Sequence, residues 1–200
     1  MFSGDERSNQ LRPQILTAFA GQLMNDSERA RLFGLPETCR IREHAKIISP
    51  DRLTLGEHCW IGEGAMLDAS GGLTVGEHTT IAVGAQIYTH SSWLANVTLQ
   101  NFPDSDLIER RPVRIGNGCF IGPGSVVLAG VTIGDFAVVR PLSLVDEDVA
   151  EHCVVAGNPA RTIRVNDPAR VQARAERVRA RTRLSREAAE RDGQASASAP

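Results

Sequence analysis

The stretch that decides the fold is PVRIGNGCFIGPGSVVLAGVTIGD at residues 112–135, in which an aliphatic residue returns at every sixth position. Those aliphatic residues are Ile115, Ile121, Val127 and Ile133. A glycine often follows the aliphatic residue directly, and a small residue often stands four positions after it. A fixed period sustained over many residues specifies a repeat architecture before any local propensity is considered.

The same six-residue pattern continues on both sides of this stretch, from about Cys39 to about Arg164. It slips by two residues at Ser70-Gly71-Gly72, and its one long break lies between Ile87 and Ile115. The other aliphatic positions are Leu55, Ile61, Leu67, Leu73, Val75, Ile81, Ile87, Val139 and Val145. The small positions are Cys59, Ala65, Thr79, Ala85, Cys119, Ser125, Ala137 and Ser143.

A period of six predicts a coil of short parallel strands. A strand of three or four residues and a two-residue corner cannot turn the chain back on itself as a hairpin, so three such units close one triangular turn of about 18 residues. Stacked turns, spaced at roughly 4.8 Å, would bury continuous ladders of aliphatic side chains. A β-sandwich would show a period of two and βαβ units would need helical stretches, and neither pattern occurs between Cys39 and Ile87. We therefore expect an all-β core in the form of a parallel β-helix.

The segments that flank the coil have different patterns. Apolar residues between Leu11 and Phe33 have helical spacing, and Asn25-Asp26-Ser27-Glu28 predicts the cap of a second short helix. We divide the chain into an N-terminal helical segment (1–36), a β-helix domain (37–165) with a long loop (91–112), a C-terminal helix (166–191) and a disordered tail (192–200).

The composition excludes several functional classes. The 200 residues contain 42% hydrophobic and 23% charged residues, which is typical of a globular domain. No apolar run approaches the roughly 18 residues of a membrane-spanning helix, and MFSGDERSNQ lacks a signal-peptide core, so we expect a cytoplasmic protein. A formal net charge of -2 gives no indication of nucleic-acid binding. The cysteines lack CxxC spacing, so we expect reduced packing residues and no metal site: Cys39, Cys59, Cys119 and Cys153.

Three stretches carry a resemblance to a known family: IYTH at 87–90, the stretch at 112–135, and VVAGNPARTIR at 154–164. Together with the repeats they resemble the hexapeptide-repeat acyltransferases, and most closely the O-acetyltransferases of sugars and polysaccharides related to the galactoside and maltose acetyltransferases. The resemblance covers roughly residues 35–165. It implies a left-handed parallel β-helix, a homotrimer, and acetyl-CoA as the acyl donor.

Acyl transfer from a thioester to a hydroxyl needs a base for the alcohol proton and a donor that stabilises the oxyanion. Histidine suits the first role because its unperturbed pKa lies near neutrality. His90 lies three residues after Ile87, at a corner where the chain leaves the coil, and the resemblance implies that it is the catalytic base. The same corner of neighbouring turns carries Ser70, Gly130 and Asp148, and Gly130 would leave room for an acyl group. The other histidines are expected in solvated positions: His44, His58, His78 and His152.

The loop at 91–112 is long for a compact coil, and such loops are more often functional than idle. We expect this active-site loop to close over the acceptor, with Trp93, Glu109 and Arg110 as candidate contacts. Asp68 matches a region in which related sugar acetyltransferases hold the acceptor through a carboxylate, so the resemblance implies the same role for it.

The resemblance implies that coenzyme A lies along the coil, in a cleft between two subunits. Its candidate contacts are Phe120, Gly122, Pro123, Gly130, Pro141, Ser143, Asn158, Pro159, Arg161 and Arg164. Arginines suit its phosphates because their forked donors pair bidentately with phosphate oxygens. RPLSLVDED at 140–148 departs from the family, whose members commonly have a Gly-Ala-Gly-Ser turn and a lysine there, so we expect the adenine end to be bound differently or more weakly.

These features predict an acetyl-CoA-dependent O-acetyltransferase that acts on a sugar, nucleotide sugar or polysaccharide hydroxyl by direct transfer in a ternary complex. One alternative keeps the donor and takes an antibiotic, an amino sugar or another small molecule as acceptor. A zinc-dependent carbonic anhydrase on the same coil is disfavoured, because His58, His78 and His90 do not include the close pair that its zinc site would show. The last alternative is a non-catalytic scaffold. We expect the arginine-rich C-terminal helix to be solvated rather than to bind an anionic partner.

Overall fold

The computed structural model describes residues 23–100 and 106–197, with side chains as far as Arg186. The predicted parallel β-helix is confirmed, because short strands stack into parallel sheets on the three faces of a coil. The first of the two predicted N-terminal helices falls outside the described residues.

Each face of the coil is one sheet, in which strands of successive turns are hydrogen-bonded neighbours. The first face consists of β1 (Arg40–Ile41), β4 (Trp60–Ile61), β7 (Thr80–Ile81), β12 (Phe120–Ile121), β15 (Val138–Val139), β17 (Cys153–Gly157) and β18 (Ala160–Val165). The second face consists of β2 (Lys46–Ile48), β5 (Met66–Asp68), β8 (Gln86–Ile87), β13 (Val126–Val127) and β16 (Leu144–Val145). The third face consists of β3 (Leu53–Leu55), β6 (Leu73–Val75), β11 (Val113–Ile115) and β14 (Thr132–Ile133).

Aliphatic residues of successive turns lie in register inside the coil. On the first face Ile41 pairs with Ile61, Ile61 with Ile81, and Ile81 with Ile121, and all four side chains are fully buried. Burying such a side chain contributes about 1.5–3 kcal/mol. The ladders therefore stabilise strands that are too short to be stable by themselves.

The glycine that follows an aliphatic residue is required by the backbone of the next turn. A Cβ atom at Gly62 would overlap the Val83 nitrogen, and one at Gly122 would lie 2.6 Å from the Pro141 nitrogen. The positive φ of the corner falls two residues later, as at Gly64, where φ is +64° and nothing lies within 4 Å. Steric crowding and backbone conformation thus act at different corner positions.

The small corner position also forms hydrogen bonds between turns. The Cys59 thiol donates to the Gly76 carbonyl at 3.0 Å, and the Thr79 hydroxyl donates to the Gly116 carbonyl at 2.8 Å. The four cysteines are free and buried. They are packing residues, as predicted. Some of their thiols also donate a hydrogen bond to a backbone carbonyl that would otherwise be unpaired at the corner.

Helix α1 (Asp26–Leu32) lies at the N-terminal end of the coil and is the second of the predicted N-terminal helices. Asn25 caps it as predicted, since its side chain accepts the Glu28 N–H and the Glu28 carboxylate accepts the Asn25 N–H. The buried Arg29 guanidinium donates to the Ile41 carbonyl in β1. Among the described strands, none from an earlier turn pairs with β1. The Arg29 guanidinium therefore supplies to the Ile41 carbonyl the donor that a preceding turn would otherwise provide.

The long break in the repeat contains β9 (His90–Ser91), α2 (Trp93–Val97) and β10 (Glu109–Arg110). The chain leaves the coil as β9 and returns as β10, and the two strands pair antiparallel. The predicted loop is therefore anchored at its base by a two-stranded ribbon.

The chain divides into two compact units, residues 1–164 and residues 165–200. The second unit contains α3 (Pro168–Ala197), which continues past the end predicted at residue 191, so part of the predicted tail is helical. The predicted end lies just before Gly193, but one glycine costs a helix only about 1 kcal/mol and need not end it. None of the described helices combines the length and apolar character needed to cross a bilayer.

Candidate active site

His90 lies at the corner between the second and third faces, where the chain leaves the coil. The preceding strand β8 ends at Ile87, and Thr89 is fully buried. The His90 side chain is 37% exposed. A small molecule can therefore reach its ring from solvent.

A buried carboxylate from the preceding turn holds the imidazole of His90. Nδ1 of His90 lies 2.6 Å from Oδ2 of Asp68 and 3.1 Å from the Ser70 hydroxyl oxygen. Because an ionised carboxylate can only accept, we assign the ring proton to Nδ1. This tautomer leaves Nε2 with a free lone pair, which is the form of histidine that acts as a base.

Asp68 is itself fixed by several hydrogen bonds. Its Oδ1 accepts the Ser70 N–H at 3.0 Å, and its Oδ2 accepts the Thr89 N–H at 3.0 Å. The Thr89 hydroxyl donates to the same Oδ2 at 3.3 Å and accepts the Gly71 N–H at 2.7 Å. A side chain at Gly71 would overlap the Thr89 carbonyl oxygen. The network therefore fixes the direction of the carboxylate and, through it, of the imidazole.

Burial raises the pKa of the Asp68 carboxyl, but the hydrogen bonds from Ser70, Thr89 and His90 outweigh burial and hold that pKa below its ordinary value. The carboxylate is therefore ionised at neutral pH. In that state it stabilises the imidazolium that forms when His90 takes a proton.

The acceptor contact that the resemblance implied for Asp68 is wrong, because its side chain is only 1% exposed. Asp68 contacts the proposed base instead of the acceptor. The extra residues of this turn bring Leu67 into register with Ile87, which places Asp68 beneath the start of the loop. The sequence shows the two-residue slip, but the hydrogen bond depends on how His90 folds back over that corner.

The open space predicted beside Gly130 is occupied by Arg111. A Cβ atom on Gly130 would lie 3.3 Å from the Cβ of Arg111 and 3.4 Å from its Nε. The Arg111 N–H donates to the Thr89 carbonyl at 2.9 Å, which ties the returning strand to the coil. Gly130 therefore accommodates the Arg111 side chain. The prediction of open space failed because the repeat does not specify the path of the returning chain.

The structure brings only part of the predicted acceptor set to His90. Arg110 is directly opposite His90 in the ribbon, and Glu109 is opposite Ser91. Opposed residues project on the same side of an antiparallel pair, and successive residues alternate, so Arg110 lies beside the base and Glu109 projects to the other side. Trp93 begins α2 and is 57% exposed.

Most of the predicted coenzyme A contacts lie together at a different corner, between the first and second faces. Gly122 packs beneath Pro141 of the next turn, and the Ser143 hydroxyl accepts the Gly157 N–H at 3.3 Å, which brings the following turn to the same edge. The predicted contacts at this corner are Phe120, Gly122, Pro123, Pro141, Asn158 and Pro159.

Two predicted coenzyme A contacts are engaged within the chain. The buried Ser143 hydroxyl donates to the Arg140 carbonyl at 2.7 Å, so this hydroxyl is not free to bind coenzyme A. Arg161 forms ion pairs with Asp146 at 3.0 Å and Glu147 at 3.5 Å. Its guanidinium would have to leave these carboxylates to bind a phosphate.

A single chain does not bring His90 to the coenzyme A corner. His90 stands at the edge between the second and third faces, and the whole second face, including β8 and β13, separates the two corners. Arg164 is exposed in β18 on the first face.

The expectation that the histidines form no close pair is wrong, because the rings of His58 and His78 stack with centroids 4.8 Å apart. Both lie at the corner between the third and first faces, whereas His90 lies at another corner. Within the described ranges no group of three His, Cys, Asp or Glu residues is arranged to hold a metal ion.

Comparison with known proteins supports the predicted resemblance. Residues 112–146 match the family model of the bacterial transferase hexapeptide (six repeats). This match confirms the hexapeptide repeat for the part of the coil that directly follows the loop.

Among the curated proteins that match over short segments are two acetyltransferases. Chloramphenicol acetyltransferase of Agrobacterium fabrum is 46% identical over 50 residues, which are 25% of this chain and 24% of that protein. Galactoside O-acetyltransferase of Escherichia coli is 46% identical over 57 residues, which are 28% of this chain and 28% of that protein. The chain therefore spans only about a quarter of the length of these curated relatives.

Several solved structures are similar over most of the chain. One of them is a hexapeptide-repeat acetyltransferase from Vibrio cholerae complexed with acetyl coenzyme A, with a TM-score of 0.69 and 25% identity. The similarity covers 84% of this chain and 93% of that chain. The likeness thus extends well beyond the segment that the family model matches.

Proposed function

We propose that this protein transfers the acetyl group of acetyl-CoA to a hydroxyl of a sugar, nucleotide sugar or polysaccharide unit, with His90 as the general base. The observation that carries the proposal is the 2.6 Å contact between His90 Nδ1 and the buried Asp68 carboxylate. This contact leaves Nε2 as the basic nitrogen, at an exposed corner beside a loop.

The proposed reaction proceeds by direct transfer. Nε2 of His90 takes the proton of the acceptor hydroxyl while the hydroxyl oxygen attacks the thioester carbonyl carbon, and the carbonyl electron pair moves onto its oxygen. When this tetrahedral intermediate collapses, the C–S bond breaks and the coenzyme A thiolate takes the proton from Nε2. Asp68 stays ionised throughout and stabilises the imidazolium between the two steps.

Acetyl-CoA is proposed as the donor because the similar Vibrio cholerae structure contains it. We place it along the corner formed by Phe120, Gly122, Pro123, Pro141 and Asn158, with Arg164 as a candidate for its phosphates. The second face separates this corner from His90 within one chain. A homotrimer, which the resemblance implies, would supply the corner of one subunit to the His90 of its neighbour. The proposed setting is the cytoplasm, where acetyl-CoA is available.

The loop supplies the proposed acceptor contacts. Trp93 is exposed at the start of α2 and offers a flat apolar surface to a sugar ring. Arg110 stands beside the base, and Glu109 lies on the other side of the ribbon, so it would contact the acceptor only at a distance from the reacting hydroxyl.

An antibiotic is a second candidate acceptor, because the chain is 46% identical to chloramphenicol acetyltransferase over 50 residues. The same base and donor would serve both acceptors. Parallel assays with chloramphenicol and with galactosides separate the two proposals.

Replacing His90 tests the mechanism. We expect His90→Ala to lower turnover by about 100-fold or more, the usual scale for a general base, without weakening acetyl-CoA binding. His44→Asn is the matched control, because His44 is an exposed corner histidine with φ 60°, a conformation that asparagine tolerates. Turnover is measured as coenzyme A release and binding by calorimetry.

Near-normal turnover in His90→Ala would refute the base assignment. A wild-type protein that binds no acetyl-CoA would refute the donor, and with it the proposed class of enzyme.

A further inference from the structure

The strand that returns from the loop places an arginine directly opposite the proposed base. Arg110 in β10 pairs with His90 in β9. Directly opposed residues of an antiparallel pair have Cβ atoms about 4.5–5.5 Å apart and project on the same side. The Arg110 guanidinium can therefore reach a group that is bound within a few ångströms of the imidazole.

A second arginine follows on the same edge of the coil. Arg111 is held by its hydrogen bond to the Thr89 carbonyl, and its side chain lies over Gly130 of the next turn. Arg110 and Arg111 are both exposed. Because successive residues alternate, Arg111 projects to the other side of the ribbon, and Arg110 is the arginine beside the base.

Neither charge is neutralised within the described part of the chain, where Arg110 and Arg111 form no ion pair. The acidic run at 146–148 on the same corner contacts Arg161 and the Thr132 N–H, and none of its carboxylates forms an ion pair with Arg110 or Arg111. Arg110, which lies beside the base and has no carboxylate partner among the described residues, is available for an anion from outside the chain.

Coenzyme A cannot be the source of that anion under the proposed function. Its phosphates lie at the far end of the pantetheine arm from the thioester, and the thioester must meet the acceptor hydroxyl at His90. A guanidinium beside the base therefore contacts the acceptor and not the phosphates of the donor.

We infer that the acceptor carries a carboxylate or phosphate group close to the hydroxyl that is acetylated, and that Arg110 binds this anionic group. Arginine pairs with both anions through two parallel hydrogen bonds, which would also orient the hydroxyl toward Nε2 of His90. Sugar acids and sugar phosphates are acceptors of this class. The inference rests on the proposed function, because it adds a charge requirement to the same site.

The test compares glucose, glucuronate and glucose 6-phosphate, each titrated into the protein while the His90 ring signals are followed by NMR. We expect at least one of the two anions to bind about 10- to 100-fold more tightly than glucose, the scale of a charged hydrogen bond. The tighter of the two identifies the carboxylate or the phosphate as the recognised group. Arg110→Gln should remove the preference, so that the three probes bind with similar affinity.

Arg114→Gln is the matched control, because Arg114 is an exposed arginine on the outer side of β11 and should leave the preference intact. Equal affinities of the wild type for all three probes, no response to any of them, or a preference that survives Arg110→Gln would overturn the inference. A separate calorimetric titration with acetyl-CoA tests the proposed function. If acetyl-CoA binds and the preference is absent, only the acceptor charge is wrong.

Discussion

At the scale of single residues, the proposed chemistry depends on a hydrogen bond between Asp68 and His90, which are 22 residues apart in the sequence. Burying an ionised carboxylate without partners would cost several kcal/mol. Here Ser70, Thr89 and His90 donate to it, so the carboxylate stays charged while it is shielded from water. A charged Asp68 can hold the His90 tautomer and leave Nε2 available.

Asp68→Asn tests this role, because it keeps the shape of the side chain and removes its charge. We expect kcat to fall by about 100-fold or more, since a neutral amide no longer fixes the Nδ1 proton or stabilises the imidazolium. Acetyl-CoA affinity should not change. Asp51→Asn is the matched control, because Asp51 is 77% exposed on the equivalent corner of the first turn.

The same variant has a second readout in the pH dependence of stability. The pKa of Asp68 is lower in the folded protein, so its carboxylate stabilises the fold above the unfolded value of about 3.9, and this contribution is lost as the pH falls through the folded value. The wild-type Tm should therefore fall more steeply than that of Asp68→Asn below about pH 4. Parallel curves together with normal kcat would show that Asp68 has no such role.

At the scale of elements, the two- and three-residue strands of the coil depend on close stacking of successive turns. The corner glycines permit this stacking, because the next backbone passes through the space that a side chain would fill. The sequence predicts the glycines through their period, but it does not separate crowding from conformation. In the structure, crowding acts at Gly62 and conformation at Gly64.

A pair of neighbouring substitutions separates these two causes. Gly62→Ala should lower Tm by about 2–12 °C, because overpacking against Val83 costs about 1–3 kcal/mol. Gly64→Asn should change Tm by less than about 2 °C, because its side chain meets open space and asparagine tolerates positive φ. Thermal unfolding followed by circular dichroism measures both. A Gly62→Ala variant as stable as the wild type would refute crowding as the reason for glycine at this position.

At the scale of the whole molecule, the proposed base and the proposed donor corner lie on different edges of the coil. The donor corner also exposes apolar side chains, with Phe120 39%, Val83 48% and Leu142 78% exposed. Adjacent exposed apolar residues often mark contact surfaces. Both features favour an active site that is completed by a second copy of the chain.

Complementation between two inactive variants tests this arrangement. His90→Ala lacks the base, and Pro123→Glu places a charge on the donor corner while reproducing the Gly-Glu-Gly corner found at residues 62–64. Co-expressed subunits that mix at random should recover about a quarter of wild-type activity, because one site in four pairs an intact His90 with an intact corner. Light scattering should give three times the 21.6 kDa chain mass.

Each variant expressed alone should be inactive. Co-expressed subunits that show no more activity than either variant alone would mean that each site is built from a single chain, and the proposal of a shared active site would fail.

The sequence by itself determined the parallel coil, its aliphatic ladders and the corner where the chain leaves it at His90. It could do so because inward aliphatic residues and uncrowded corners are local requirements that recur at every turn. Only the tertiary structure decided that Asp68 holds His90, that Arg111 fills the space over Gly130, and that Arg110 stands beside the base. These contacts join residues from different turns or across the loop, so they depend on stacking register and on the path of the returning strand, which no local pattern fixes.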